Sequence, residues 1–155
     1  KLSTFDLFKV LKVKCTLPII YAGGIMNGSD INRHLNKGAT GVQMGTSFLC
    51  CDEAGTNSVY RKYILEEQNR ETVYTKGFSG RWGQSIQIEF AKFMEGKYVL
   101  PFPLQNTLTS SLRAFAVKTK NGEYQSLWAG KEFKKTRALS ADKLISKLVS
   151  EMDII

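Results

Sequence analysis

Histidine is nearly absent from this 155-residue chain; His34 is the only one. Cysteine is scarce, with Cys15 and the adjacent pair Cys50 and Cys51. An odd count with a vicinal pair makes a poor disulfide framework, and neighbouring cysteines lack the spacing of a zinc site. The thiols therefore read as reduced, in a cytoplasmic protein. The neighbouring carboxylates Asp52-Glu53 and Glu66-Glu67 also lack ligand spacing, so no metal is expected. No apolar run approaches the roughly 20 residues of a membrane span. Residues 1–14 are amphipathic and carry no small-residue cleavage site, so they do not read as a signal peptide. Position 1 is Lys rather than Met, and the chain reads as processed or incomplete. Acidic residues are in deficit, 14 against 22 Lys and Arg, for a net charge of +8. The basic residues are dispersed, with one short cluster at 131–137 and no RNA-binding or helix-turn-helix pattern. Nucleic acid is not an expected partner, and part of the positive charge suits an anionic ligand.

What is present is an ordinary globular composition, 43% hydrophobic and 23% charged, long enough for one domain with a core. The organising stretch is Leu17-Pro-Ile-Ile-Tyr-Ala-Gly-Gly-Ile25, followed by Gly41-Val-Gln-Met-Gly-Thr46. Each is a short apolar run ending in glycine and a small residue, with a helix-length segment, 29–37, between them. This is the pattern of a βαβ unit. Parallel strands covered on both faces read as continuous apolar runs, as Ile19, Ile20, Tyr21 and Ala22 do. Gly23 and Gly24 let backbone amides approach a ligand. Asn27-Gly28-Ser29 leads into a helix N-terminus with partial positive charge. Gly45-Thr46 offers further amides and a hydroxyl. One such turn would be only a tight connection; two on adjacent strand ends suggest a phosphate cradle.

Ala22-Gly-Gly-Ile25 and Gly41-Val-Gln-Met-Gly-Thr46 resemble the nitronate monooxygenases, formerly 2-nitropropane dioxygenases. Through Trp128-Ala-Gly130 and beyond, the resemblance covers nearly the whole chain, but only the C-terminal half of the family. It implies an α/β fold: the last two strands of an FMN-dependent (β/α)8 TIM barrel in residues 1–50, then a mainly helical region in 51–155. The upstream half of the barrel would be a missing partner, with homo-oligomer formation left open. The resemblance implies FMN bound by Gly23, Gly24, Gln43, Met44, Gly45 and Thr46. It implies an oxidoreductase, a monooxygenase converting alkyl nitronates and dioxygen to a carbonyl compound and nitrite. The family's catalytic histidine belongs to the upstream half, and His34, inside a helix, does not replace it; no catalytic residue is expected here. Phe78-Ser-Gly-Arg81 partly matches a glycine-arginine loop near flavin and substrate. Trp82 stands where the family carries a small residue, and Gly83, Gln84, Ser85 and Ile88 also depart from its pattern. Arg81 is a substrate-side candidate or a surface arginine packed on an aromatic neighbour. An FMN-dependent enoyl-acyl-carrier-protein reductase and a truncated, non-catalytic remnant are the alternatives.

The remaining expectations are local. Ser3 or Thr4 caps a helix through Leu11. Ser29 or Asp30 caps the second, in which Ile31 and Leu35 face the sheet and Gly38 ends the turn. A short helical turn follows Thr46. Asn57 or Ser58 starts a helix through Glu67, 72–75 is β-prone, and 85–95 reads as a helix. Another helix begins at Asn106 or Thr107 and breaks at Gly122. A helical piece spans 124–133, with Trp128 as a packed anchor. Ser140 caps the last helix. Arg113 and Lys131 read as surface residues.

Overall fold

The computed structural model describes residues 2–152. The chain forms two compact units, one from residues up to 54 together with those from 135 onward, the other Gly55–Lys134. The division expected at residue 50, between barrel strands and a mainly helical region, falls within the first of these units. The last helix folds back with the first 54 residues, because its apolar stripe needs their core.

In the first unit, α1 (Thr4–Lys14) starts at Ser3, whose hydroxyl oxygen accepts the Asp6 amide at 3.1 Å. β1 (Ile20–Ala22) and β2 (Gly41–Gln43) pair in parallel, Ile20 opposite Gly41 and Ala22 opposite Gln43. α2 (Gly28–Leu35) connects them. The expected βαβ unit is present. Its cap is Asn27, not Ser29 or Asp30. The extended backbone of Asn27 lets its Oδ1 accept the Asp30 amide at 2.7 Å, which draws Gly28 and Ser29 into the first turn. Ser140 caps α7 (Ala141–Ser150), which buries Leu144 and Leu148.

Two apolar clusters form the core of this unit: Phe8, Tyr21, Ile25 and Ala39, and Cys51, Leu144 and Leu148. Ile31 and Met44 pack against both. β1 is not buried on both faces as expected; burial alternates, with Tyr21 buried and Ile20 56% exposed. Each strand has a single partner among the described residues, and the packed cluster lies on Tyr21's side.

In the second unit, Asn57 caps α3 (Ser58–Leu65) through the Tyr60 amide. β3 (Thr72–Thr75) pairs antiparallel with β4 (Gly83–Ile86), Thr72 opposite Ile86. The helix expected over 85–95 is thus corrected: it shrinks to α4 (Glu89–Phe93). Gly83 is a poor helix former, and Ser85 and Ile86 are fully buried in the hairpin. The helix expected at 124–133 is likewise extended chain around Trp128. The Ile86 amide donates to the Leu127 carbonyl at 2.9 Å and the Ala129 amide to Gln84 at 3.0 Å, and sheet bonding replaces helix bonding.

Trp128 lies edge-on to Phe78, with ring centroids 5.2 Å apart. A Cβ on Gly83 would fall 2.6 Å from the indole, so glycine there admits the ring. The single helix expected from 106 or 107 is two, α5 (Leu104–Leu108) and α6 (Ser110–Lys118). They part at buried Thr109, whose hydroxyl donates to the Phe78 carbonyl at 2.6 Å. Arg113 is half-buried rather than on the surface. Its guanidinium donates to the Asn106 carbonyl at 2.9 Å and to Asn106 Oδ1 at 2.8 Å.

Candidate cofactor-binding site

Parallel pairing sets the geometry. With Ala22 opposite Gln43, the Gly23-Gly24 turn and the Met44–Thr46 segment leave adjacent strand ends. Gly23 and Gly24 have φ of 106° and 72°. Two successive left-handed residues point consecutive amides in a way that side-chain-bearing residues resist. Gly23, Gly24, Gln43 and Gly45 are exposed, and Thr46 is half-buried. A Cβ built on Gly45 meets nothing within 4 Å, so the backbone there is open to close approach. Met44 contributes differently: its side chain packs into both apolar clusters, leaving only its backbone for a ligand. A 3-10 turn, Thr46–Phe48, follows, with the Phe48 amide on the Gly45 carbonyl at 3.0 Å.

The two loops are tied by a residue that sequence reading missed. Buried Ser47 donates its hydroxyl to the Ile25 carbonyl at 2.8 Å. Its partner is 22 positions away, and no short-range spacing announces it. A second missed group closes the start of α2. Glu151 accepts the Gly28 amide at 3.0 Å, and Arg137 forks onto both Glu151 oxygens at 2.8 and 3.0 Å. Arg137 also donates to the Met26 carbonyl at 3.1 Å. The guanidinium, with the Gly28 amide, holds the Glu151 carboxyl below its usual range. Asp30 accepts the Met26 amide at 3.1 Å. The positive end of α2, expected to face a phosphate, is therefore occupied by carboxylates of the chain itself.

An anion at this site is left to the glycine turns and Thr46. These fit it in donor chemistry: exposed left-handed glycines, an open Gly45 backbone and a hydroxyl are the groups that suit an anion.

His34 is taken up in packing. It is buried and stacked on Tyr21, ring centroids 3.6 Å apart at 16°, and its Nδ1 is buried without a hydrogen-bond partner among the described residues. Burial lowers its pKa, helped by the Arg33 and Lys37 charges and opposed by Asp30. In the second unit, Arg81 is exposed, with its guanidinium 4.4 Å from the Phe102 ring centroid. Among the described residues there is no group of three or more metal-ligating side chains. Nor is any helix there long and apolar enough to cross a membrane. Cys15, Cys50 and Cys51 form no disulfide among the described residues.

The profile of the nitronate monooxygenase family matches residues 2–151. The chain is similar to a probable nitronate monooxygenase of Staphylococcus haemolyticus, 32% identical over 154 residues, covering 97% of this chain and 43% of that protein. A probable nitronate monooxygenase of Staphylococcus saprophyticus is 33% identical over 156 residues, covering 99% and 44%. Among solved structures, nitroalkane oxidase from Streptomyces ansochromogenes superposes with a TM-score of 0.91 at 31% identity, covering 96% of this chain and 43% of the other. FabK from Thermotoga maritima superposes at 0.78 and 26% identity, covering 97% and 49%. The chain thus spans a little under half the length of the relatives it matches, and its mixed α/β fold fits part of a barrel.

Proposed function

This chain belongs to the nitronate monooxygenase family, and from that premise we propose that it supplies the flavin-phosphate site of an FMN-dependent oxidoreductase. The reaction proposed is oxidation of an alkyl nitronate by dioxygen to a carbonyl compound and nitrite. The observation that carries the reading is the pair of adjacent strand-end turns, with left-handed Gly23 and Gly24 beside open Gly45. Amides of Gly23, Gly24, Gly45 and Thr46, with the Thr46 hydroxyl, would hold the phosphate; charge-assisted bonds of this kind favour a dianion. Gln43 and the Met44 backbone would border the same ligand. Bound FMN supplies the electron-transfer chemistry.

The chain's own residues then position and shield. Ser47 fixes the two loops, and Met44 anchors the second in the core. The general base that takes the substrate's proton comes from outside these 155 residues, since His34 is sealed in its stack. The remaining barrel is the proposed partner, and an eight-stranded barrel closes the edges that β1 and β2 leave.

The test is an FMN titration of the purified polypeptide by flavin fluorescence, followed by a nitrite assay with ethyl nitronate on the intact protein. Saturable FMN binding with nitrite release supports the reading. FMN binding with consumption of reduced nicotinamide instead would move it to enoyl reduction. Absence of FMN binding would leave the remnant reading.

A further inference from the structure

The second unit holds a concavity of about 330 Å³ whose lining includes Asn57, Tyr60, Arg113, Val117, Gln125 and Ser126. All of these lie within Gly55–Lys134. The lining carries a single formal charge, the Arg113 guanidinium, and no acidic residue. Every partner of that guanidinium among the described residues is neutral. Nε donates to the Thr109 hydroxyl oxygen at 3.2 Å, and Nη2 donates to the carbonyl and Oδ1 of Asn106. Nη1 meets Ser126 Oγ at 3.5 Å, the far limit of a hydrogen bond. The acid nearest in sequence, Glu123, is engaged elsewhere, accepting from Arg70 at 2.6 Å and from Tyr63 at 2.7 Å.

The walls are set before any ligand arrives. Gln125 is only 2% exposed. Its Oε1 accepts from Asn57 Nδ2 at 3.0 Å, and its Nε2 donates to the Ala116 carbonyl at 3.3 Å. Asn57 is held in turn by its cap on α3, and Tyr60 donates its hydroxyl to the Trp128 carbonyl. Ala114 and Val117 of α6 add an apolar edge to the lining. The guanidinium is thus fixed through Nε and Nη2, while the Nη1 side of the fork is left weakly used. A fixed donor beside fixed walls spares a ligand much of the ordering cost of binding.

We infer that this concavity is a binding site for a small organic carboxylate. The carboxylate accepts from Arg113 Nη1 and from the Ser126 hydroxyl, and a short alkyl arm lies along Ala114 and Val117. A planar guanidinium edge matches a planar carboxylate in shape as well as charge. One cation without a cradle of backbone amides suits a monoanion better than a phosphate dianion. The volume lies near the lower end of small-molecule sites, about 300–1,000 Å³, which suits a small acid rather than a nucleotide.

The test titrates the intact protein with butyrate, with butyramide as the neutral control and inorganic phosphate as the rival anion, following the amide NMR shifts of Gln125 and Ser126. Butyrate is expected to saturate and to bind about tenfold more tightly than butyramide. Val117 is 48% exposed and stands four residues after Arg113 on α6. Val117→Glu therefore sets a carboxylate at the i,i+4 spacing that pairs with the guanidinium. It should weaken butyrate binding about tenfold and keep the thermal midpoint, whereas Val117→Gln retains binding. Arg113→Gln should remove the preference for butyrate; because it also breaks the Asn106 bonds, the Val117 pair decides if that variant does not fold. No saturable shift with butyrate, equal affinity for butyramide or phosphate, or unchanged butyrate affinity in Val117→Glu overturns the site.

Discussion

The Ser47 hydroxyl reaches from the loop after β2 to the Ile25 carbonyl in the loop after β1, 2.8 Å away and buried. The same hydroxyl lies 3.5 Å from the Met26 sulfur, so both of its contacts join the two glycine turns. Ser47→Ala leaves that carbonyl without its donor. The expected loss is about 1–3 kcal/mol of stability, with weaker FMN binding, read from urea unfolding and a flavin titration. Unchanged values in both would show that the loops hold themselves.

Gly45→Asp separates ligand contact from folding. The site has open space for a side chain, and its φ of −119° suits any residue. Stability should change by no more than about 0.5 kcal/mol, while a carboxylate beside the phosphate should lower FMN affinity at least about tenfold. Equal affinity would place the phosphate elsewhere.

At Gly28 two effects oppose each other. Alanine improves helix propensity by about 1 kcal/mol. Its Cβ, however, would stand 2.3 Å from the Leu148 carbonyl and 2.6 Å from Glu151, and backbone cannot yield as a flexible side chain does. Overpacking of this kind costs about 1–3 kcal/mol, so Gly28→Ala should be destabilising, with α7 loosened. Faster amide exchange in 141–150 would report it.

Acid should weaken the fold in two stages. His34 has a lowered pKa, so the unfolded chain takes up its proton first, and stability falls as pH drops below the ordinary value of 6.5. Glu151 is also lowered, chiefly by Arg137; its contribution is present above the ordinary 4.5 and is lost below it. Glu123 adds to the second stage. Burial pushes it up, but bonds from Tyr63, the Glu89 amide and Arg70 outweigh this and hold it low. Urea midpoints between pH 7.5 and 3.5 should show both stages. His34→Phe should erase the first, and Glu151→Gln should diminish the second.

The βαβ unit was legible because its signal is local: two apolar runs, two glycine-bearing ends and a helix between. The caps Ser3, Asn57 and Ser140 were legible for the same reason. The hairpin strand Gly83–Ile86 was not. Ile86, Phe90 and Phe93 imitate a helical stripe, and only pairing with Thr72–Thr75 and with the Trp128 segment decides for strand. The bracing of the site was illegible in a stronger sense. Glu151 meets Gly28 across 123 positions, and its residue type on an exposed helix end says only that it is charged. Arg113 looked like surface for the same reason, since Asn106 takes its guanidinium through a turn that the single-helix reading removed.

The Glu151 carboxylate on the α2 amide makes α7 a tethered counter-anion. The chain carries its own competitor for the positive end of α2, so a free anion finds a neutralised helix and must rely on the glycine turns. Selectivity then follows from shape rather than charge, because a bare phosphate gains little where a phosphate held by a larger planar molecule gains its other contacts as well. Glu151→Ala would expose that pole, and inorganic phosphate should then compete with FMN at concentrations that leave the unaltered chain untouched.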